Sequence, residues 1–203
     1  MYFPAGTELV IASHNQGKIK EIRDLLSHLS LKISCAADYD LDDPEETERT
    51  FEGNALLKAR YVAERTGKAS LSDDSGLSVN ALNGAPGIYS ARWAGPDRDF
   101  AMAMERVKTE ITQQAEGDIP DMSASFFCAI ALVDPRKNEE KTFLGEVKGQ
   151  LTFPPRGEKG FGYDPIFIAN GMDQTFGEID PDYKHSISHR ADAMRQLFHS
   201  LSG

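Results

Sequence analysis

The chain has 203 residues, 40% of them hydrophobic and 27% charged, a balance that excludes a disordered polymer and suffices for one domain or one two-lobed unit. Its formal net charge of -10 argues against a role in coating nucleic acid. No apolar run approaches the ~20 residues of a membrane helix, and the two cysteines, Cys35 and Cys128, lack both a disulfide framework and metal-ligand spacing.

Met1 to Lys18 has no basic start followed by an apolar stretch, so no signal peptide is expected and a cytoplasmic location is. Leu9 to Ala12 is a short apolar run with the character of a buried strand. The polar run Ser13 to Lys18 follows. Ile19, Ile22, Leu25, Leu26 and Leu29 then recur at helical spacing, with Ser13 and Gln16 in capping-box register. Leu31 to Ala36 reads as a second strand. Acids crowd the next segment: Asp38, Asp40, Asp42, Asp43, Glu45, Glu46, Glu48 and Glu52, opposed by Arg49. A solvated acidic loop accounts for most of them. Phe51, Ala55, Leu56, Ala59, Val62 and Ala63 mark a second helix, ended near Gly67.

A strand is expected to lead into Asp73-Asp74-Ser75-Gly76, and the alternation Leu77, Val79, Ala81 suggests another after it. Between them the sequence permits a solvated turn, since Asp, Ser and Gly are turn formers. Asn83 to Trp93 reads as a glycine-rich loop. Phe100 to Ile111 is helical in pattern, closed by Gly117 and Pro120. Ser123 to Val133 and Thr142 to Leu151 are strands that the turn-rich Asp134 to Asn138 joins as a hairpin. Ser188 is placed to start a last helix carrying Ala191, Met194, Leu197, Phe198 and Leu201. Helices and strands are thus interleaved without repeats, an α/β chain with a mixed sheet.

Four segments carry chemistry. Adjacent acids such as Asp73 and Asp74 repel each other and call for a compensating cation, proton or polar network. Ser13 to Lys18 links a strand to a helix, whose N-terminal N–H groups and dipole suit phosphate; it is no Walker A loop, since Ala12 and Ile19 stand where glycine and Ser/Thr belong. Glycines flank Phe161 and Tyr163, an arrangement open to base stacking or to a packed hairpin corner, and Asp164 before Pro165 is biased to extended backbone. Tyr183 to Arg190, with Lys184 among them, brings cations and hydroxyls to the start of the last helix, where His189 and Arg190 oppose its dipole, a conflict that an anionic or oxo-bearing ligand would resolve. A nucleoside triphosphate with Mg²⁺ fits the set better than it fits any single segment.

The chain resembles the inosine/xanthosine triphosphate pyrophosphatases, the Ham1-like family. The resemblance rests on Ser13-His14-Asn15-Gln16-Gly17-Lys18, Glu45-Glu46-Thr47, Thr50-Phe51 with Asn54-Ala55, Leu57-Lys58-Ala59, Asp73-Asp74-Ser75-Gly76-Leu77, Gly84 to Arg92, Gly160-Phe161-Gly162-Tyr163-Asp164-Pro165 and Ser188-His189-Arg190, in that order. It implies one such domain over residues 1–203, two-lobed around a long mixed sheet with flanking helices, the active site in the cleft, and a homodimer. It implies Mg²⁺-dependent hydrolysis of ITP, dITP and XTP to the monophosphate and pyrophosphate, which cleanses the nucleotide pool. By position, Asp74 resembles the general base and a metal residue. Glu46, with Glu45, resembles the acidic metal partner, and Asp73 is a further metal candidate that supports Asp74. Ser13, His14, Asn15, Gln16, Gly17, Lys18, Lys58 and Ser75 resemble the phosphate-contacting set. Phe161, Gly162, Tyr163, Asp164, Lys184, His189 and Arg190 resemble the sugar and base pocket, with Phe161 or Tyr163 stacking. The chain departs from the family's frequent Thr-Phe-x-Glu-Asn-Ala by having Gly53 before Asn54, and Lys159 stands where a glycine is frequent. The alternatives are a Maf-like pyrophosphatase acting on modified or pyrimidine nucleotides and a non-catalytic nucleotide-binding module.

Overall fold

The computed structural model describes residues 4–202; Met1–Phe3, the head of the segment expected to carry no signal peptide, and Gly203 lie outside the described residues. β1 (Glu8–Ile11), α1 (Gln16–Leu26), β2 (Lys32–Cys35), α2 (Phe51–Thr66) and β3 (Ala69–Val79) come first. A short α3 (Ser90–Trp93) and α4 (Phe100–Gln114) follow, then β4 (Ser123–Asp134), β5 (Glu139–Leu151), β6 (Phe167–Ala169), α5 (Pro181–Ile187) and α6 (His189–Ser202). The strands form one sheet in the order β2-β1-β3-β4-β5-β6. β1 runs parallel to β2 and β3, whereas β5 and β6 are antiparallel, so the sheet is mixed as expected. Among the described residues no helix is long and apolar enough to cross a membrane.

Two compact units emerge. The first comprises the chain up to Asp74, Cys128–Gly145 and Arg190 onward; the second comprises Ser75–Phe127 and Glu146–His189. In the first unit β4 alternates between two helix layers. Cys128, Ile130 and Leu132 pack with Ile19, Ile22 and Leu26 of α1 and Ala193, Met194 and Leu197 of α6. Ala129, Ala131 and Val133 pack with Ala55, Ala59 and Ala63 of α2, whose small side chains let that helix lie close to the strand. The second unit buries Val107 and Ile111 of α4 with Leu77, Phe126, Tyr163, Phe167 and Phe176.

Capping sets the helix boundaries. Asn15, not Ser13, caps α1, its Oδ1 accepting the Lys18 N–H at 3.2 Å; Ser13 Oγ instead accepts the Asn15 N–H at 3.2 Å, so the expected Ser13/Gln16 capping box does not form. Thr50 caps α2 through the Gly53 N–H at 3.0 Å, and Gly67 closes that helix in the left-handed region at φ 66°.

Four further expectations change. Asp73-Asp74-Ser75-Gly76 is neither a turn nor a gap between strands but the middle of the 11-residue β3. Its backbone is held in a strand flanked by β1 and β4, and sheet pairing outweighs local turn preference. The strand stops at Val79, so Ala81 lies in a 3₁₀ turn, Asn80–Leu82. The run Asn83 to Trp93 is not a plain loop, since it contains a 3₁₀ turn at Gly87–Tyr89 and α3. Lys184 sits on the separate α5 rather than at the start of the last helix. β6, with three residues, is too short to leave a periodic signal.

Candidate active site

Successive residues of a strand face opposite sides of its sheet, and this divides the Asp73-Asp74 pair. Asp74 faces α2, as does Ser72, whose hydroxyl donates to the Ala55 carbonyl. Asp73, on the side of Leu71, meets Lys18 of α1 and Arg190 of α6. Each acid therefore has its own compensation.

Around Asp73, Oδ2 accepts from Arg190 Nη2 and forms an ion pair with Lys18 Nζ, both at 3.0 Å, and Cys128 Sγ lies 4.0 Å away. The second guanidinium arm of Arg190 donates to Glu21. Burial disfavours the Asp73 charge, but Lys18, Arg190 and Lys58 outweigh it and hold this carboxyl well below the usual carboxylate range. Burial also pushes the Cys128 thiol up to about 12, so the sulfur is a neutral packing group. The dipole conflict at the start of α6 is thus resolved by two carboxylates of the chain itself, Glu21 and Asp73.

Around Asp74, Lys58 Nζ donates to Oδ1 at 3.3 Å and to Glu46 Oε1 at 2.8 Å. Asn54 Nδ2 donates to Oδ2 at 3.4 Å. Here the balance reverses. Burial raises the Asp74 pKa; Lys58 and Lys18 oppose it, while Glu46 and Asp73 add to it, and the net shift is upward. Burial works against the Lys58 ammonium as well, yet Asp74, Asp73 and Glu46 together raise its pKa and keep it charged. Four carboxylates (Glu21, Glu46, Asp73, Asp74) thus face three cations (Lys18, Lys58, Arg190).

The remaining predicted residues divide as follows. His14 Nδ1 bonds Asp43 at 2.8 Å, tying the Ser13–Lys18 segment to the acidic one, and Gln16 and Gly17 are exposed in the first turn of α1. Ser75 follows Asp74 half-buried in β3. Glu45 is exposed, and among the described residues no three His, Cys, Asp or Glu side chains gather closely enough to hold a metal ion by themselves. In the second unit, Lys184 Nζ donates to Asp164 Oδ2 at 2.5 Å and lies 4.9 Å from the centre of the Phe161 ring, which is 42% exposed. Asp164 is not extended but opens a 3₁₀ turn, and its carboxylate also accepts the Phe161 N–H at 2.7 Å. A Cβ at Gly160 would meet Asp164 Oδ2 at 2.2 Å, so this glycine leaves room for the carboxylate. Tyr163 presents no free face: it is 3% exposed, its hydroxyl donates to the Ser90 carbonyl at 2.9 Å, and Phe100 meets its ring edge-on. Of the Phe161 and Tyr163 rings, Phe161 is the exposed one. The His189 ring stacks on Phe126 at 4.9 Å between centroids.

With the site in view, a family model described as the Ham1 family matches residues 9–200. The chain belongs to the Ham1 family. A protein of Rhodospirillum centenum named dITP/XTP pyrophosphatase is 58% identical over 193 residues, 95% of this chain and 94% of that protein. One of the same name from Zymomonas mobilis is 53% identical, covering 93% of this chain and 89% of that one. Among solved structures, a HAM1 protein from Coxiella burnetii superposes with a TM-score of 0.89 at 40% identity, covering 97% of this chain and 98% of that one. The Staphylococcus aureus Ham1 protein gives 0.86 at 39% identity, with 97% and 99% covered. The expected α/β class and family are therefore established.

Two residues of the charge network, Glu21 and Asn54, were absent from the predicted set. Both had a signal. Glu21 lies three residues after Lys18 and Asn54 four before Lys58, spacings that put each on the same helix face as its lysine.

Proposed function

We propose that the chain hydrolyses ITP, dITP and XTP to the nucleoside monophosphate and pyrophosphate. The observation that carries this reading is the state of Asp74. It is a buried carboxyl with a raised pKa, held between Asn54 and Lys58 beside Glu46. Before an ion is bound, burial makes this carboxyl a better proton acceptor than a surface aspartate. In the proposed step a water oxygen attacks the α-phosphorus and gives its proton to Asp74. The bond from that phosphorus to the bridging oxygen breaks, and the electron pair leaves with pyrophosphate. Lys18 and Lys58 oppose the charge that develops on the departing phosphates. Asp73, tied to Lys18 and Arg190, stays ionised and holds the Lys18 ammonium in place.

The donor chemistry fits Mg²⁺, which takes one or two carboxylates together with substrate phosphates and water. Glu46 and Asp74 both reach the Lys58 ammonium, which brings their oxygens close together. These two residues would hold the ion; Glu45, exposed, and Asp73, committed to Lys18 and Arg190, would not. When bound, the ion supplies charge neutralisation to the phosphates. On the base side we assign Phe161 to stacking and Lys184 to the 6-oxo group, an oxygen that an adenine amine cannot imitate. Relatives named dITP/XTP pyrophosphatase support a 6-oxopurine substrate.

Asp74→Asn tests the reading. The variant is expected to bind ITP while pyrophosphate release falls at least ~100-fold. Turnover near that of the parent would refute the assigned base. A panel of ITP, XTP, the common triphosphates, dUTP and dTTP separates this activity from a Maf-like one, and release of pyrophosphate separates it from mere binding.

A further inference from the structure

α2 carries Asn54 and Lys58 one turn apart, hence on one face. Lys58 Nζ donates to Asp74 Oδ1 and Asn54 Nδ2 donates to Asp74 Oδ2, at 3.3 and 3.4 Å. Each oxygen of the carboxylate thus has its own donor, and two donors from one rigid helix set the plane of the group. The far end of the Asn54 amide is also engaged. Its Oδ1 accepts the Glu48 backbone N–H at 3.1 Å, and the residue is 1% exposed. Glu48 lies two residues beyond Glu46, so one amide links the segment bearing Glu46 to the strand bearing Asp74. The residue before Asn54 permits this approach. A Cβ on Gly53 would meet Glu48 Cβ at 2.8 Å and Thr50 Oγ1 at 3.1 Å. The glycine that departs from the frequent family pattern is therefore where the acidic segment lies flush against the helix start.

We infer that Asn54 is a positioning residue for the reaction, fixing the Asp74 carboxylate and keeping the Glu46 segment in register with it. The role rests on the assignment of Asp74 as base. A carboxamide suits it because it is neutral, donates at one end and accepts at the other. An aspartate at this position keeps the acceptor for the Glu48 N–H but loses the donor and sets a like charge against Asp74 Oδ2. A leucine removes both functions at similar size.

The experiment compares Asn54→Asp, Asn54→Leu and Asp74→Asn with the parent. It measures pyrophosphate release from ITP with Mg²⁺, amide exchange at Glu48 by NMR without substrate or metal, and thermal melting as a check on folding. In folded Asn54→Asp, kcat is expected to fall about 100-fold with KM within ~3-fold, the signature of a misplaced group that acts in the transition state. Its Glu48 amide stays as protected as in the parent. In Asn54→Leu kcat falls likewise and the Glu48 amide exchanges at least ~10-fold faster, because that N–H has lost its acceptor. If Asn54→Asp keeps kcat within ~3-fold while Asp74→Asn is inactive, or loses KM rather than kcat, the inference is overturned and the base assignment stands. Unchanged Glu48 exchange in Asn54→Leu overturns the link to the acidic segment. Turnover by Asp74→Asn overturns the base assignment itself, independently of Asn54. Should Asn54→Leu fail to fold, Asn54→Asp alone decides the role.

Discussion

Replacing Arg190 with methionine isolates the buried half of the charge network. The Arg190 side chain is 2% exposed and lies between Glu21 at 11% and Asp73 at 1%. Methionine roughly fills the volume but takes the guanidinium away from both carboxylates, leaving Asp73 with Lys18 at 3.0 Å and the more distant charge of Lys58. Breaking a buried pair from one side costs about 3–5 kcal/mol, a large share of the ~5–15 kcal/mol that holds a native protein together. For a chain of this length each kcal/mol moves the melting temperature by ~2–4 °C, so the expected fall is roughly 6–20 °C. Urea and thermal melts followed by circular dichroism at neutral pH, where Asp73 is ionised, give the number. Arg190→Met combined with Glu21→Gln neutralises one stranded charge and is expected to recover at least ~1 kcal/mol of the loss. The reasoning is refuted if Arg190→Met melts within ~2 °C of the parent, or if the double variant is no more stable than the single one. A KM for ITP that rises by orders of magnitude in a variant of undiminished stability would instead return Arg190 to the base pocket that the family resemblance implied.

Two further predictions test assignments that burial changed. Tyr163→Phe removes a buried hydrogen bond to the Ser90 carbonyl, so stability is expected to fall by about 1 kcal/mol in a denaturant melt while kcat/KM for ITP stays within ~2-fold; a large kinetic loss without destabilisation would show that the ring contacts the nucleotide. The hydrogen bond from Asp43 raises the His14 pKa against the opposing effect of burial. NMR titration of the His14 ring should find a midpoint above ~6.5, and Asp43→Asn should bring it back down. Because the folded value lies above the unfolded one, the pair's stabilisation is fully present below the unfolded pKa and is lost as pH rises through the folded pKa. A His14 midpoint unmoved by Asp43→Asn removes that pair as the cause.

Much of the fold was legible because its signals are local. Ile19, Ile22 and Leu26 repeat at helical spacing, Gly67 offers the left-handed φ that ends α2, and the unbroken apolar run of β4 marks a strand covered on both faces. The site was legible only as a set of segments. The chain of Asp73-Asp74-Ser75-Gly76 looks like a turn because every residue in it favours one, and what overrides that preference is pairing with strands far away in sequence. Tyr163 looked like a stacking ring because glycine flanks it, yet the core of the second unit takes the ring in. Arg190 looked like a ligand group because it opposes the dipole of its own helix, and its counter-charges sit 169 and 117 residues distant.

What the sequence by itself determined is therefore the class of the molecule: its α/β elements, its caps, and an ordered series of motifs that resembles the Ham1 family. What only the tertiary structure decided is the division of labour between two adjacent aspartates. Strand geometry sends neighbours to opposite faces, and which helix covers each face is a long-range outcome of packing. α1 and α6 bring Lys18 and Arg190 to Asp73 and hold it ionised, whereas α2 brings Asn54 and Lys58 to Asp74, where burial and Glu46 raise its pKa.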